Sequence, residues 1–250
     1  MQAPRRALVP SDETGERSLP LDTRMVRAGS PYEKRTVDDE VFVDAVREVM
    51  EALEGRGIVF LFVGGLASGI LGRPRSTVDV DLMIRPGDIG KAREALEEAG
   101  FTTTETDLDW LYKAAKKDGV VVDILVESTG GVYLDDEMLS RIVTAEFRGL
   151  SLPLAGPEDL IVMKALAHQE PTNRYWYDAM GILARSAIDW DYLLWRARLG
   201  ARRVLSLLLY AQSSDILVPD APIRALFHMI QHPEGESAPE VGGNVDGPRE

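Results

Sequence analysis

The sequence predicts an α+β protein, a mixed sheet with flanking helices followed by a C-terminal helical region, on three observations. Ile58 to Val63 is a continuous apolar run ended by Gly64-Gly65, the pattern of a strand buried on both faces. Lys117-Asp118-Gly119 separates two more β-rich runs, and Asp-Gly is the strongest short hairpin signal. From Pro157 onward the apolar residues recur at helical spacing instead of alternating.

Taken in order, Val41 to Leu53 carries Val41, Val43, Ala45, Val46, Val49, Met50 and Leu53 on one stripe and predicts an amphipathic opening helix. Ile58 to Val63 is the first strand and Leu66 to Leu71 a short helix after the glycines. Thr77 to Ile84 returns to strand, and Pro86-Gly87-Asp88 supplies a turn and cap for a helix over Ile89 to Glu98 that stops at Gly100. Trp110 to Ala115 and Val120 to Val126 form the Asp-Gly hairpin. A second hairpin joins Ile142 to Phe147 with Leu150 to Leu154 around Arg148-Gly149. Leu160 to His168, Tyr175 to Arg185, Trp190 to Leu199 and Val204 to Ala211 all read as helices, with Trp176, Trp190 and Trp195 expected to fill their core. The chain thus divides into a tail over 1–38, a sheet-bearing domain over 39–156, a helical domain over 157–230 that completes a cleft, and a second tail over 231–250. Both tails are rich in Pro and charge and are expected to be disordered.

Composition narrows the chemistry. A chain of 250 residues, 45% hydrophobic and 28% charged, can bury a sizeable core. The absence of cysteine excludes a disulfide scaffold, a thiol nucleophile and any thiolate-ligated metal. With only His168, His228 and His232, a histidine metal centre is not expected, and His168 reads as a packed side chain. No apolar run follows the early arginines, so no signal peptide is read there. Gly57 to Gly72, about 16 uncharged residues, falls short of the roughly 18 that span a bilayer and is broken by its glycines. A cytoplasmic protein without membrane contact is expected. The net charge of -13 repels nucleic acid, so RNA contact needs a local basic patch. Arg196, Arg198, Arg202 and Arg203 offer either such a patch or an ordinary solvated helix face.

The informative segment is Val63-Gly64-Gly65 through Arg75-Ser76-Thr77-Val78-Asp79-Val80-Asp81-Leu82. In a strand, residues two apart share a face about 7 Å apart, so Asp79 and Asp81 project together while Val78, Val80 and Leu82 face the core. Burying two carboxylates side by side is costly unless a cation or proton compensates them. Asp123 interrupts a third apolar strand, Val120 to Leu125, in the same way. If the two strands are neighbours, three carboxylates converge, and such hard oxygen ligands suit Mg²⁺ or Mn²⁺, with a pair of ions expected. Gly64 and Gly65, between strand and helix, can let phosphate approach bare backbone N–H groups, with Ser68 the nearest hydroxyl. Arg75 reads equally as a phosphate or acceptor contact and as a surface arginine.

These residues, Val63-Gly64-Gly65, Arg75-Ser76-Thr77-Val78-Asp79-Val80-Asp81 and Val122-Asp123-Ile124, resemble the nucleotidyltransferase superfamily with the DNA polymerase beta-type fold. Lys164-Ala165-Leu166-Ala167 followed by Arg174-Tyr175-Trp176-Tyr177-Asp178 resembles its abortive-infection and toxin-type branch. The likeness spans about Phe42 to Leu199. It implies a nucleotidyltransferase-type mixed sheet, Asp79, Asp81 and Asp123 as metal ligands, and a part for Asp123 in activating the acceptor hydroxyl. It implies Lys164 as a triphosphate contact and Asp178 as a polar contact from the second half of the chain. The implied substrate is a nucleoside triphosphate such as ATP. The acceptor stays open between RNA or a tRNA end, a protein side chain and a cationic small molecule, and the toxin-like branch implies an antitoxin partner. A catalytically silent binding module of the same fold is the alternative outside enzymology. Many superfamily members carry Gly-Ser in the phosphate turn where this chain has Gly64-Gly65.

Overall fold

The computed structural model describes residues 37–106, 110–116, 119–169 and 174–232. Apart from Val37, Asp38, Gln231 and His232, the two expected tails lie outside the described residues, as do Lys117 and Asp118 of the first hairpin turn.

Helix α1 (Asp39–Gly55) begins where the Asp38 side chain accepts the Glu40 N–H, and it places Asp39 and Glu40 in its first turn, where the helix dipole favours negative charge. Its stripe of Phe42, Ala45, Val46, Val49 and Leu53 is buried. Strand β1 (Phe60–Phe62) follows, buried at every position, then α2 (Gly64–Leu71), β2 (Asp79–Ile84), a 3-10 turn over Pro86–Asp88, and α3 (Ile89–Glu98). Next come β3 (Thr102–Glu105), β4 (Leu111–Ala115), β5 (Val121–Leu125), the short α4 (Asp136–Leu139), β6 (Val143–Phe147) and β7 (Leu150–Leu154). The rest is helical: α5 (Pro157–Ala167), α6 (Arg174–Arg185), α7 (Trp190–Ala197), α8 (Ala201–Ser213) and α9 (Asp220–Gln231).

The strands form one mixed sheet in the order β3-β4-β5-β2-β1-β7-β6. Pairings are parallel for β2 with β5 and β1 with β7, and antiparallel elsewhere. Both expected hairpins are present as β4·β5 and β6·β7. The second turns through Arg148 at φ 50° and Gly149 at φ 82°, the two positive φ values that match the twist of paired strands. Three elements went unforeseen, the first being the four-residue helix α4, which the Asp135 side chain caps by accepting the Met138 N–H. Strand β3 is a polar edge strand of three threonines and a glutamate, with no buried position to leave an alternating trace. Helix α9 starts on Asp220 with Pro222 in its first turn, where a missing N–H is harmless.

One hydrophobic core runs from Phe42 on α1 to Leu226 on α9. At its centre lies α5, whose residues from Glu158 to Leu166 are all buried. A helix apolar on every side belongs inside a protein, but α5 also carries Glu158, Asp159 and Lys164, and each must find a partner there. Glu158 accepts the Asp189 N–H at 2.7 Å. Asp159 accepts the Tyr192 hydroxyl at 2.8 Å and pairs with Arg196 at 2.7 Å. Arg196, itself 3% exposed, also grips Asp135 through two bonds of 2.6 and 2.9 Å. The expectation that all three tryptophans fill the helical core holds only for the partly buried Trp176 and Trp190. Trp195 is 40% exposed and stacks on Tyr192.

Two outcomes follow from this network. Arg196→Met strands Asp159 and Asp135 without their counter-ion and is expected to cost about 3–5 kcal/mol in a urea titration, whereas Arg198→Met on the exposed side stays within about 0.5 kcal/mol. Equal effects would contradict the assignment. Burial also pushes Asp159 up from 3.8 to about 6 against the pull of Arg196 and Tyr192. The folded chain therefore holds a proton over that window which the unfolded chain has released, so this group's contribution to stability falls as pH rises from 3.8 to about 6. Asp159→Asn should flatten that part of a stability-against-pH curve.

Candidate active site

The site is built where β1 ends. The Val63 N–H bonds the Asp81 carbonyl at 2.9 Å, which extends the β1·β2 ladder by one step before the chain turns into α2. Gly64 makes the turn at φ +59°, a conformation costly for any residue with a Cβ. A Cβ there would fall 1.9 Å from Asp81 Oδ2. That carboxylate thus fills the space that glycine leaves, and it accepts the Gly65 N–H at 3.1 Å in the first turn of α2.

Period-two alternation holds over the first four residues of β2, with Val80 and Leu82 buried and Asp79 and Asp81 partly exposed on the other face, before Met83 and Ile84 are both buried. On the parallel neighbour β5, Val122 and Ile124 are buried and Asp123 stands in register opposite Asp81. Lys113 stands opposite Asp123 on β4, and its Nζ lies 2.5 Å from Asp123 Oδ1. Burial raises the pKa of Asp81, and the charges of Asp123 and Asp79 add to it, while the Gly65 N–H and Lys164 oppose it. The strands are therefore neighbours, as the sequence reading required for convergence. Yet among the described residues no group of three or more His, Asp or Glu side chains lies close enough to hold a metal ion. Each anion has turned to its own donor instead, Asp81 to the turn and Asp123 to Lys113.

A second cluster closes the site from the helical side. Asp178 on α6, almost fully buried, receives Arg75 through two bonds of 2.7 and 2.9 Å and Lys164 through one of 3.0 Å. Burial alone would raise the Asp178 carboxyl, but the two cations outweigh it and hold it below the usual range. Burial lowers the Lys164 ammonium, against the support of Asp178 and Asp81. Arg75 is thus half-buried, with Nε and Nη2 paired to Asp178 and Nη1 donating to the Ser76 carbonyl. Ser68 is buried within α2 and donates to the Gly64 carbonyl at 2.6 Å.

Between these clusters lies a cavity of about 210 Å³. Gly64, Asp81, Asp123 and Lys164 line its polar part, and Trp110, Leu111, Leu125, Leu160, Met163 and Tyr175 line its apolar part. Of the sequence-derived residues, Gly65, Ser68, Arg75, Asp79 and Asp178 do not line this cavity. Sequence reasoning passed over Lys113, although the register of the Asp-Gly hairpin puts residue 113 opposite 123, and over Ser128 on the cavity wall, which carries no motif. Three of the four arginines of the basic patch, Arg198, Arg202 and Arg203, are exposed, and the fourth is not. Arg196 is buried with Asp135 and Asp159, Arg203 donates to the His168 carbonyl at 2.6 Å, and Arg198 donates to the Trp195 carbonyl at 2.9 Å.

A protein family described as uncharacterised nucleotidyltransferase matches residues 29–213 of the chain. No curated protein matches it. Among solved structures, the antibiotic-resistance factor ANT(2'')-Ia is 18% identical with a TM-score of 0.46, over 78% of this chain and 100% of that one. An antigenic nucleotidyltransferase-like protein from Paracoccidioides brasiliensis is 14% identical with a TM-score of 0.48, over 76% and 94%. A tRNA nucleotidyltransferase complexed with a primer tRNA and an incoming ATP analogue is 13% identical with a TM-score of 0.30, over 73% and 67%.

The contact of Gly64 with Asp81 is testable by stability. Gly64→Ala forces a methyl group into the carboxylate and into left-handed backbone, and should cost at least about 1–2 kcal/mol. Gly55→Ala at the end of α1, with nothing within 4 Å of the new methyl, should be neutral or gain up to about 1 kcal/mol. Denaturant midpoints of the two variants decide it, and a Gly64→Ala midpoint equal to that of the parent would refute the packing.

Proposed function

The chain belongs to the family of uncharacterised nucleotidyltransferases and is a nucleotidyltransferase, and we propose that it moves a nucleoside monophosphate from a nucleoside triphosphate to an acceptor hydroxyl with the help of Mg²⁺ or Mn²⁺. The observation that carries this reading is the register pairing of Asp81 with Asp123 on the wall of a cavity that begins at the Gly64 turn.

The chemistry of the donors fits a hard divalent cation. Asp79, Asp81 and Asp123 offer only carboxylate oxygens, and the burial that raises Asp81, with the lesser repulsion from Asp123 and Asp79, is offset by positive charge. These three residues would hold two ions. A divalent ion there supplies Lewis-acid charge to phosphate oxygens and lowers the pKa of a hydroxyl. The acceptor oxygen forms a bond to the α-phosphorus, the bond from that phosphorus to the bridging oxygen breaks, and pyrophosphate leaves with the electron pair. Asp123 takes the acceptor proton as general base. Lys164, on the cavity wall and steadied by Asp178, meets the triphosphate, and Arg75 positions Lys164 through the same carboxylate. The Gly64-Gly65 turn lets phosphate approach backbone, with Ser68 bracing the turn by its bond to the Gly64 carbonyl.

For the acceptor we take RNA, a tRNA end or a protein side chain, in a toxin or phage-defence role with an antitoxin partner, which rests on the resemblance of Lys164-Ala165-Leu166-Ala167 and Arg174-Tyr175-Trp176-Tyr177-Asp178. One observation favours a cationic small molecule instead. With Arg196 buried against Asp135 and Asp159, the RNA patch is reduced to Arg198, Arg202 and Arg203, set against a net charge of -13. Among the described residues no helix is long and apolar enough to cross a membrane.

The test is incubation with each α-labelled triphosphate, Mg²⁺, and RNA, cell protein or small cationic acceptors in turn. Label in one acceptor class names it, and label in none with any triphosphate overturns the proposal. Asp81→Asn should lower transfer by at least about 100-fold, the upper end of what even outer-sphere partners of a metal cost. It should also leave the fold as stable or more so, because it removes a buried, repelled charge.

A further inference from the structure

Ser128 follows β5 and lies on the wall of the same cavity. Its backbone is fully used: the N–H donates to the Val132 carbonyl at 2.7 Å, and its carbonyl accepts the Gly131 N–H at 3.1 Å. Its hydroxyl is not. The residue is 7% exposed, and Oγ is a buried oxygen with no hydrogen-bond partner in the structure. Buried hydroxyls in folded proteins nearly always have a partner, and leaving one without is destabilising. Nothing in the fold accounts for this one, because replacing it by a methyl would leave the Val132 and Gly131 bonds intact.

The surroundings indicate what would satisfy it. The polar part of the cavity holds Asp81, Asp123 and Lys164, and the apolar part carries the rings of Trp110 and Tyr175 with Leu125 and Met163. Aromatic faces stack on any base alike. A hydroxyl both donates and accepts, so it can tell one base edge from another. At about 210 Å³, the space lies below the roughly 300–1,000 Å³ of sites that enclose a drug-sized ligand. That suits one flat ring system better than a folded macromolecule.

We propose that Ser128 is a specificity-determining residue, whose hydroxyl bonds the edge of the nucleobase of the triphosphate while Trp110 and Tyr175 hold its faces. The inference rests on the nucleotidyl-transfer reading and adds to it the group that chooses the base. Sites built around a hydrogen bond reject the ligand that lacks it more strongly than apolar contact does, since the site's own polar group is then left unpaired.

The experiment is isothermal titration of the full chain and of Ser128→Ala with α,β-methylene analogues of ATP, GTP, CTP and UTP, and with ribose 5-triphosphate, which has no base. Thermal denaturation of both proteins is recorded alongside. The parent should prefer one base. Ser128→Ala should weaken that analogue about tenfold, the loss of one ordinary hydrogen bond, and move the others and ribose 5-triphosphate by less than about twofold. Its Tm should stay level or rise, because an unsatisfied buried hydroxyl has gone. Equal weakening of all five ligands, no change in any, or a lowered Tm with unchanged base preference overturns the inference. So does unchanged nucleotide binding with a raised KM for the acceptor, which would move Ser128 to the acceptor side. Failure of the parent to bind any triphosphate overturns the transfer reading itself, whereas base-selective binding that Ser128→Ala preserves overturns this inference alone.

Discussion

Parallel pairing between β2 and β5 is the constraint on which the site depends. Val80, Leu82, Val122 and Ile124 are buried on one face, and a strand has only two faces. The intervening Asp79, Asp81 and Asp123 are therefore held on the other, and the register sets Asp81 beside Asp123. A slip of one residue would carry the carboxylates into the core and the valines out of it. The hydrophobic pattern that stabilises the sheet is thus the same pattern that aims the acids. Everything next to them is an accommodation of concentrated negative charge: a glycine turn that leaves room for Asp81, its N–H donor at Gly65, Lys113 across from Asp123, and Lys164 facing the cavity.

The helical side repeats this logic around α5. Asp178 binds Arg75 and Lys164 toward the cavity, and the pair of Asp159 with Arg196 lies deeper, among Tyr192 and Asp135. Buried ion pairs contribute little net stability when intact, but each partner makes the other indispensable. What they supply is position. Arg75 comes from the loop after α2, Lys164 from α5 and Asp178 from α6, so one carboxylate fixes three separate segments at the cavity. Such a site can take up a highly charged substrate without first ordering its own cations.

Charge balance has a different meaning inside and outside. The chain carries 41 acidic and 28 basic residues, and among the basic ones Arg75 and Lys164 serve as counter-ions to Asp178, and Arg196 to Asp135 and Asp159. The surface that remains is less suited to a polyanion than the arginine-rich stretch from 196 to 203 suggests. This is a reason to test small cationic acceptors as seriously as RNA.

Much of the fold and the outline of the site were legible in the chain itself. Period-two alternation put Asp79 and Asp81 on one face, Asp-Gly marked the β4·β5 hairpin, and helical spacing marked the helices from α5 to α8, because each depends on neighbours a few residues away. The motif order around Gly64, Asp79, Asp81 and Asp123 was enough to suggest the family that the chain belongs to. Strand β3 left no trace, since an edge strand of Thr102 to Glu105 buries nothing. The partners of the charges were equally hidden: Arg196 looked like its exposed neighbours but lies buried against Asp135 and Asp159, Arg75 is committed to a residue 103 positions away, and Ser128 belongs to no pattern at all. Local periodicity determines which face a residue occupies, because it needs only the geometry of one strand or helix. Which charge meets which, and which hydroxyl is left without a partner, was decided only in the tertiary structure, since burial makes every polar group take the nearest donor or acceptor that distant segments bring to it.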